Sequence, residues 1–357
     1  MAELLEVLNA ADEAGLYYVS DARPGIRRVR RGKGFSYVGV GGAPVGPEER
    51  DRIASIAIPP AWTDVWICTN PDGHILATGR DARGRKQYRY HPRWREVRDG
   101  NKYDRLGRFG HALPEIRAHL EADLARRGLG EEKVLATVVS LLDESLIRIG
   151  NDEYKAQNDS YGLTTIGEDH VSVRGSQVRF EFRAKSGVEQ SVAVSDKRLA
   201  KIVKQCQDLP GEDLFAFTDE DGRVVDVTST HVNEYLRTLT GDSFTAKDFR
   251  TWGGTVVAAE VLAGVGPAVT KKEQEANVIL AVDTAAHALG NTRAVARSCY
   301  VHPGVADAYR AGALDEAWRR ARSRPRFSRP ESAVLSVVEA SDRSLPAGGE
   351  GDACEAS

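Results

Sequence analysis

At 357 residues, with 41% hydrophobic and 28% charged side chains, the chain can bury two sizeable cores, which excludes a fibrous or wholly disordered protein. Four dispersed cysteines (Cys68, Cys206, Cys299, Cys354) exclude a close zinc or redox pair, and no apolar run nears the ~18 residues of a membrane span. The acidic start MAELLEVLNAADEAG lacks the basic, apolar pattern of a secretion signal, so a cytoplasmic protein with no membrane partner is expected. The net charge of −3 hides an asymmetry: six acids and one base from Glu331 onward leave the first 330 residues at +2. Between Gly79 and Phe109 eleven Arg or Lys face four acids, the distribution of a chain with a polyanionic partner.

In chain order, residues 1–15 predict a helix with Leu4, Leu5, Val7 and Leu8 on its apolar side. Short runs follow, GLYYVSD, FSYVGVGG, VWICTNPDG and HILATGRD, with Asn70-Pro71-Asp72-Gly73 as a strand-joining turn. They predict a small antiparallel sheet. GVGGAPVG lacks the third glycine and the following helix of a dinucleotide site and reads as a loop. In GRDARGRKQYRYHPRW, Arg83, Arg85, Lys86 and Arg89 alternate with Gln87, Tyr88 and Tyr90. Cations neutralise phosphates while Gln and Tyr reach base edges or sugars, so this run is the expected DNA contact of the amino-terminal part.

From Trp94 the spacing turns helical, with PEIRAHLEADLARRG and EEKVLATVVSLLDESLIRIG stopping near Gly128 and Gly150. HVSVRGSQVRFEFRAKSGVEQSVAVSD predicts three short strands turning near Gly175 and Ser186-Gly187. Helices then resume through KKEQEANVILAVDTAAHALGN, and the stretch beyond Phe327, rich in Ser, Glu, Gly, Ala and Pro, reads as disordered. The expected organisation is α+β: a β-rich domain over 1–93, a mainly helical domain with a three-stranded hairpin region over 94–323, and an acidic tail over 324–357.

One constellation runs through the second part. LGNTRAVARSCYVHP sets Asn291 nine residues before Tyr300; upstream stand Arg148 in LIRIGNDEY, Lys185 in FEFRAKSG, and Lys247 and Arg250 in KDFR. Attack on a phosphodiester gathers negative charge on the non-bridging oxygens, which needs forked cationic donors or metal ions. No acidic cluster suggests a two-metal site and the eight histidines form no metal motif, whereas Arg148 and Arg250 each offer a bidentate fork. Lys185, beside a turn, can protonate a departing 5′ oxygen. Each residue alone has an ordinary role: Tyr300 in packing, Lys185 as a solvated hairpin lysine, Arg148 in an ion pair with Asp143, Glu144, Asp152 or Glu153.

Jointly, GRDARGRKQYRYH, LIRIGNDEY, FEFRAKSG, FTAKDFRTWGGT and LGNTRAVARSCYVHP, in this order and spacing, resemble the type IB DNA topoisomerases, in their small bacterial and poxvirus branch. The resemblance covers nearly all of the chain to about residue 323. It implies two domains closing as a clamp round duplex, preferably supercoiled DNA, in a monomer that needs neither ATP nor metal. It makes Tyr300 the nucleophile of a 3′-phosphotyrosyl intermediate, Arg148 and Arg250 the phosphate ligands, Lys185 the general acid and Lys247 an assistant. Asn291 stands where poxvirus members have histidine; an amide donates a hydrogen bond but takes up no proton. A tyrosine recombinase shares the Arg, Lys, Arg and Tyr logic, but Lys247-x-x-Arg250 and the β-rich start depart from it. A DNA-binding clamp without chemistry is the third reading.

Overall fold

The computed structural model describes the backbone of residues 14–344 apart from 33, 151–154 and 157–158; the side chains of 95–104, 186 and 344 also lie outside the described set. The helix expected over 1–15 therefore lies almost wholly outside the described residues, as do Asp152 and Glu153. The chain forms two compact units, Met1–Lys102 and Tyr103–Ser357. No helix among the described residues is long and apolar enough to cross a membrane.

The first unit is an antiparallel sheet of β1 (Ile26–Arg31), β2 (Gly34–Val38), β3 (Thr63–Ile67), β4 (Ile75–Arg80) and β5 (Lys86–Tyr90), in the order β2-β1-β3-β4-β5. Helix α1 (Pro47–Ser55) supplies Ile53 to a core with Ile26, Val65, Ile67 and Ala77. One expectation needs correction, and one strand was not expected. GLYYVSD is no strand: Tyr17 makes a single bridge to Gly73. IRRVRR, in contrast, is β1, because Ile26 anchors it to the core while the Arg28 guanidinium donates to the carbonyls of Pro59 (3.1 Å) and Trp62 (2.7 Å). An arginine whose head finds carbonyls can occupy an inward position that composition alone would deny it.

The division between units falls within α2 (Pro92–Leu124). The second unit continues with α3 (Glu131–Ser145), the three-stranded sheet β6 (Val171–Arg174), β7 (Gln177–Ala184) and β8 (Val188–Ser195), and α4 (Lys197–Gln207). A small ribbon of β9 (Ala216–Thr218) and β10 (Val224–Asp226) precedes α5 (Ser229–Thr240), α6 (Ala246–Val265), α7 (Lys271–Leu289), α8 (Arg293–Cys299), α9 (Pro303–Arg310) and α10 (Ala313–Arg320). Strand β7 buries Val178, Phe180, Phe182 and Ala184 in strict alternation against a core shared by α2, α3, α4 and α6.

The tail is the largest correction. Arg329–Ser344 forms helix α11, with Ala333, Val334, Leu335, Val337 and Val338 buried. Its start is a capping box: the Ser328 amide donates to Glu331 Oε2 (2.7 Å) and the Glu331 amide to Ser328 Oγ (3.3 Å). Polar composition on one side of a helix masked an apolar stripe on the other.

Candidate active site

Three helix ends and one turn meet in the second unit. Helix α3 stops because Leu146 adopts a left-handed conformation (φ 56°), which turns the chain so that Ile147 is buried and Arg148 follows. Arg148 and Ile149 are then held by the Gly162–Thr165 stretch: Leu163 N donates to Arg148 O (2.9 Å) and Thr164 N to Ile149 O (2.7 Å). Gly162 must be glycine, since a Cβ there would sit 2.6 Å from Arg148 O. Helix α7 ends at Gly290 (φ 58°), delivering Asn291. Strand β7 hands Lys185 to a single 3-10 turn, Lys185–Gly187, where it is exposed.

Arg250 and its neighbours in α6 bind these ends together. Its guanidinium, 3% exposed, donates through Nη1 to Leu146 O and through Nη2 to Leu289 O (2.8 Å), the terminal carbonyls of α3 and α7. Cations are favoured at helix C-termini, where carbonyls lack partners. Arg148 does the same at Gly290 O (3.4 Å from both Nη atoms) and donates through Nη2 to Asn291 Oδ1. The two glycines that follow Arg250 allow this closeness: a Cβ on Gly253 would collide with the Leu146 side chain, and one on Gly254 would lie 2.9 Å from Leu289 Cδ1.

Tyr300 caps the end of α8 and is followed by Val301 and by His302, the N-cap of α9. The short helix expected to carry Tyr300 thus stops one residue before it. Thr255, fully buried, pins this link: its Oγ1 donates to Tyr300 O (3.1 Å), shared with Thr251 O (2.7 Å), and accepts from His302 N (3.1 Å). The Tyr300 ring lies 5.0 Å from the Arg250 guanidinium carbon. Around it Arg148, Lys185, Lys247, Arg250 and Tyr300 line one cavity of about 290 Å³, with Gly150, Ser160 and Tyr161. Five of the six candidate catalytic residues therefore share one pocket, and the sixth, Asn291, is hydrogen-bonded to Arg148.

The electrostatics are those of an anion site. Burial lowers the Arg250 pKa to about 10, with Arg148 adding repulsion and the Tyr300 phenol opposing it; burial also lowers Arg148. The repulsion shows that two desolvated guanidinium groups lie within electrostatic reach of each other. Arg250 Nε and Asn291 Nδ2 are buried donors without an acceptor in the protein. A buried N–H left unsatisfied costs about 1–3 kcal/mol, so an acceptor reaching either donor would be stabilised by it. Arg293, between Asn291 and Tyr300, is instead a surface ion pair with Asp283.

In the first unit the register sorts the expected DNA contacts. Directly paired residues share a face, so Arg27, Trp66, Thr78 and Tyr88 form one line across β1, β3, β4 and β5. Ile26, Ile67, Ala77 and Arg89 form the other, which is the core face. Lys86 and Tyr88 thus face away from the core, with Tyr90 stacked on Tyr88 at 5.7 Å. Arg89 donates to Ala57 O (2.7 Å), and Gln87 (3.1 Å) and Arg85 (2.8 Å) are held by Asp81. Lys86 pairs with Asp21 (2.7 Å), and Arg83 is exposed beside the Gly84 turn. The outer face also carries exposed Arg27 and Arg31 of β1, a contribution that sequence reading missed; four arginines in six residues, alternating about Ile26 and Val29, were the available signal.

Known proteins match the chain in both units. Residues 91–320 match the catalytic core of eukaryotic DNA topoisomerase I, and residues 34–81 match the N-terminal domain of bacterial DNA topoisomerase IB. The DNA topoisomerase 1B of Acanthamoeba polyphaga mimivirus is 30% identical over 285 residues, 78% of this chain and 85% of that protein. DNA topoisomerase 1 of Schizosaccharomyces pombe is 26% identical over 56% of this chain and 23% of its own length; DNA topoisomerase 1B of vaccinia virus (strain Copenhagen) is 21% identical over 50% and 54%. With both of its units matched and the mimivirus protein aligned over most of its length, the chain is a member of the type IB DNA topoisomerases.

Proposed function

We propose that this topoisomerase cuts one strand of duplex DNA through Tyr300 and reseals it, relaxing positive and negative supercoils as a cytoplasmic, nucleoid-associated monomer. The observation that carries the reading is the single cavity that gathers Tyr300 with Arg148, Lys185, Lys247 and Arg250, beside buried donors that lack acceptors. Tyr300 Oη attacks phosphorus while its proton passes to water; the P–O5′ bond breaks as the Tyr–P bond forms. Arg148, Arg250 and the Asn291 amide hold the non-bridging oxygens, Lys185 gives its proton to the departing 5′ oxygen, and Lys247 adds charge at the rim.

The phosphotyrosyl bond retains the energy of the phosphodiester, so the 5′ hydroxyl can reverse the step without ATP once the free end has turned. The same cations perform the charge stabilisation for which a metal ion would otherwise serve, so none is required. Tyr88, Tyr90, Lys86, Arg27 and Arg31 contact the duplex from the outer face of the first unit's sheet, with Arg83 and Arg85 alongside; Gln87 and Arg89 lie on the opposite face, where they hold the strand through Asp81 and Ala57 O instead of meeting DNA. The test is to trap the adduct with detergent on an end-labelled duplex and map the modified peptide. A 3′-phosphoryl link on Tyr300 is expected. A link on another residue, or to a 5′ end, overturns the assignment.

A further inference from the structure

Helix α11 lies outside the residues matched to the catalytic core, yet it reaches both halves of the site. At its first turn Glu331, 7% exposed, accepts four hydrogen bonds: from Arg117 Nη2 (2.8 Å) and Trp252 Nε1 (3.2 Å) on Oε1, and from Arg117 Nη1 (3.1 Å) and the Ser328 amide (2.7 Å) on Oε2. Trp252 is two residues past Arg250 on the same helix. Arg117 in turn grips Asp143 with two bonds (2.7 and 3.0 Å) and Arg326 O with a fifth (2.8 Å), so all five of its N–H donors are used. Asp143 lies three residues before Leu146, whose carbonyl receives Arg250. Two short routes therefore lead from one carboxylate to the two ends of the Arg250–Leu146 contact.

Behind that contact the packing is interrupted. A groove of about 570 Å³ is lined by Leu146, Trp252 and Gly253 together with Arg117, Asp143 and Glu331. The seat of Leu146 on Gly253 fixes how closely α3 and α6 approach, and the polar brace across the groove holds the two helices in register there. At the far end of α11, Ser341 packs so closely on Gly304 that a Cβ on the glycine would lie 2.7 Å from its Oγ. Asp342 Oδ1 stands 4.0 Å from His302 Nε2, two residues past Tyr300.

We propose that α11 is a working part of the catalytic unit and that Glu331 is its positioning residue, fixing Arg250 against the Leu146 carbonyl through Trp252 and the Arg117–Asp143 pair. This rests on the reading of Arg250 as a phosphate ligand. A misplacement of ~1 Å at a reacting centre can cost about 100-fold in rate, and Glu331→Gln is nearly isosteric while leaving one oxygen for four donors. Single-turnover adduct formation should therefore fall roughly 10- to 100-fold, with duplex Kd within about threefold of the parent.

The decisive comparison repeats Glu331→Gln in an Arg250→Ala background, where nothing remains to be positioned. There the further loss should shrink to less than about threefold, because residues acting through one another are non-additive. Trp252→Phe, which removes the N–H and keeps the ring on Phe327, gives a second reading if Glu331→Gln folds poorly; it should lose roughly 3- to 10-fold with the same background dependence. Equal losses in both backgrounds, or unchanged cleavage in a folded variant, overturn the positioning role. Absence of any adduct from the parent protein would instead strike at the Tyr300 reading, and this inference with it.

Discussion

Replacing Thr255 by valine changes one hydroxyl for one methyl at a fully buried position, yet it touches the backbone of Tyr300, the proposed nucleophile, directly. The hydroxyl bonds Tyr300 O and His302 N, both at 3.1 Å. His302 is 2% exposed, so its amide has no water to turn to. Leaving a buried donor and acceptor unmet costs about 1–3 kcal/mol each, and some relaxation brings the expected total to roughly 2–4 kcal/mol. For a unit of this size that is a fall in Tm of roughly 4–16 °C. The relaxation is the functional point: the Tyr300–His302 link must shift to rescue its groups. A shift approaching ~1 Å would slow adduct formation about 100-fold. The assay is single-turnover trapping on a nicked-release duplex, at a temperature where both proteins are folded, with Thr255→Ser as the control that restores the hydroxyl. A valine variant that melts and cleaves like the parent would refute the view that Thr255 holds the tyrosine.

Three further outcomes follow from the same geometry. Lys185→Ala should slow cleavage by about 10²–10⁴-fold and recover when the 5′ oxygen is replaced by sulfur, a leaving group that needs no acid; failure to recover removes Lys185 from that role. Arg27→Ala with Arg31→Ala should lower the slope of log K against log salt by about 1.8 if each arginine meets one phosphate, and an unchanged slope would place the β1 face off the DNA. Burial raises the Glu331 carboxyl pKa, but the hydrogen bonds and charge of Arg117 outweigh it and leave it below the ordinary glutamate value. A depressed folded-state pKa gives stability that is present above the unfolded value near ~4.3 and is lost as pH falls through the folded one. Tm measured from neutral pH downward should therefore lose part of its acid slope in Glu331→Gln, and an unaltered acid limb would contradict the ion pair.

The residues that meet in the cavity were legible because their chemistry is unusual in combination and their order is fixed along the chain. What could not be read was how they are held. Arg250 and Arg148 read as phosphate forks, but in the structure their guanidinium groups also close the ends of α3 and α7, a function that depends on where those helices stop in space. Gly253 and Gly254 read as part of a motif; their reason is steric, the seats of Leu146 and Leu289. The three-stranded hairpin was legible from strict alternation in QVRFEFRA, whereas β1 was not, since its inward Arg28 relies on the carbonyls of Pro59 and Trp62, 31 and 34 residues further along the chain. The tail was misread on composition, although Ser328-Arg329-Pro330-Glu331 carries a capping box and Val334 and Val338 stand one turn apart. Local signals there outweighed the average.

In the proposed chemistry Tyr300 and its surrounding cations perform reversible strand cleavage with no other chemical help. The most direct measurement is relaxation of plasmids of either supercoil sign, in EDTA and without ATP, by the parent protein and by Tyr300→Phe. Complete relaxation of both plasmids by the parent and none by the variant is expected, with both binding duplex DNA alike. Relaxation by Tyr300→Phe, or a parent that requires a metal ion or ATP, would contradict it.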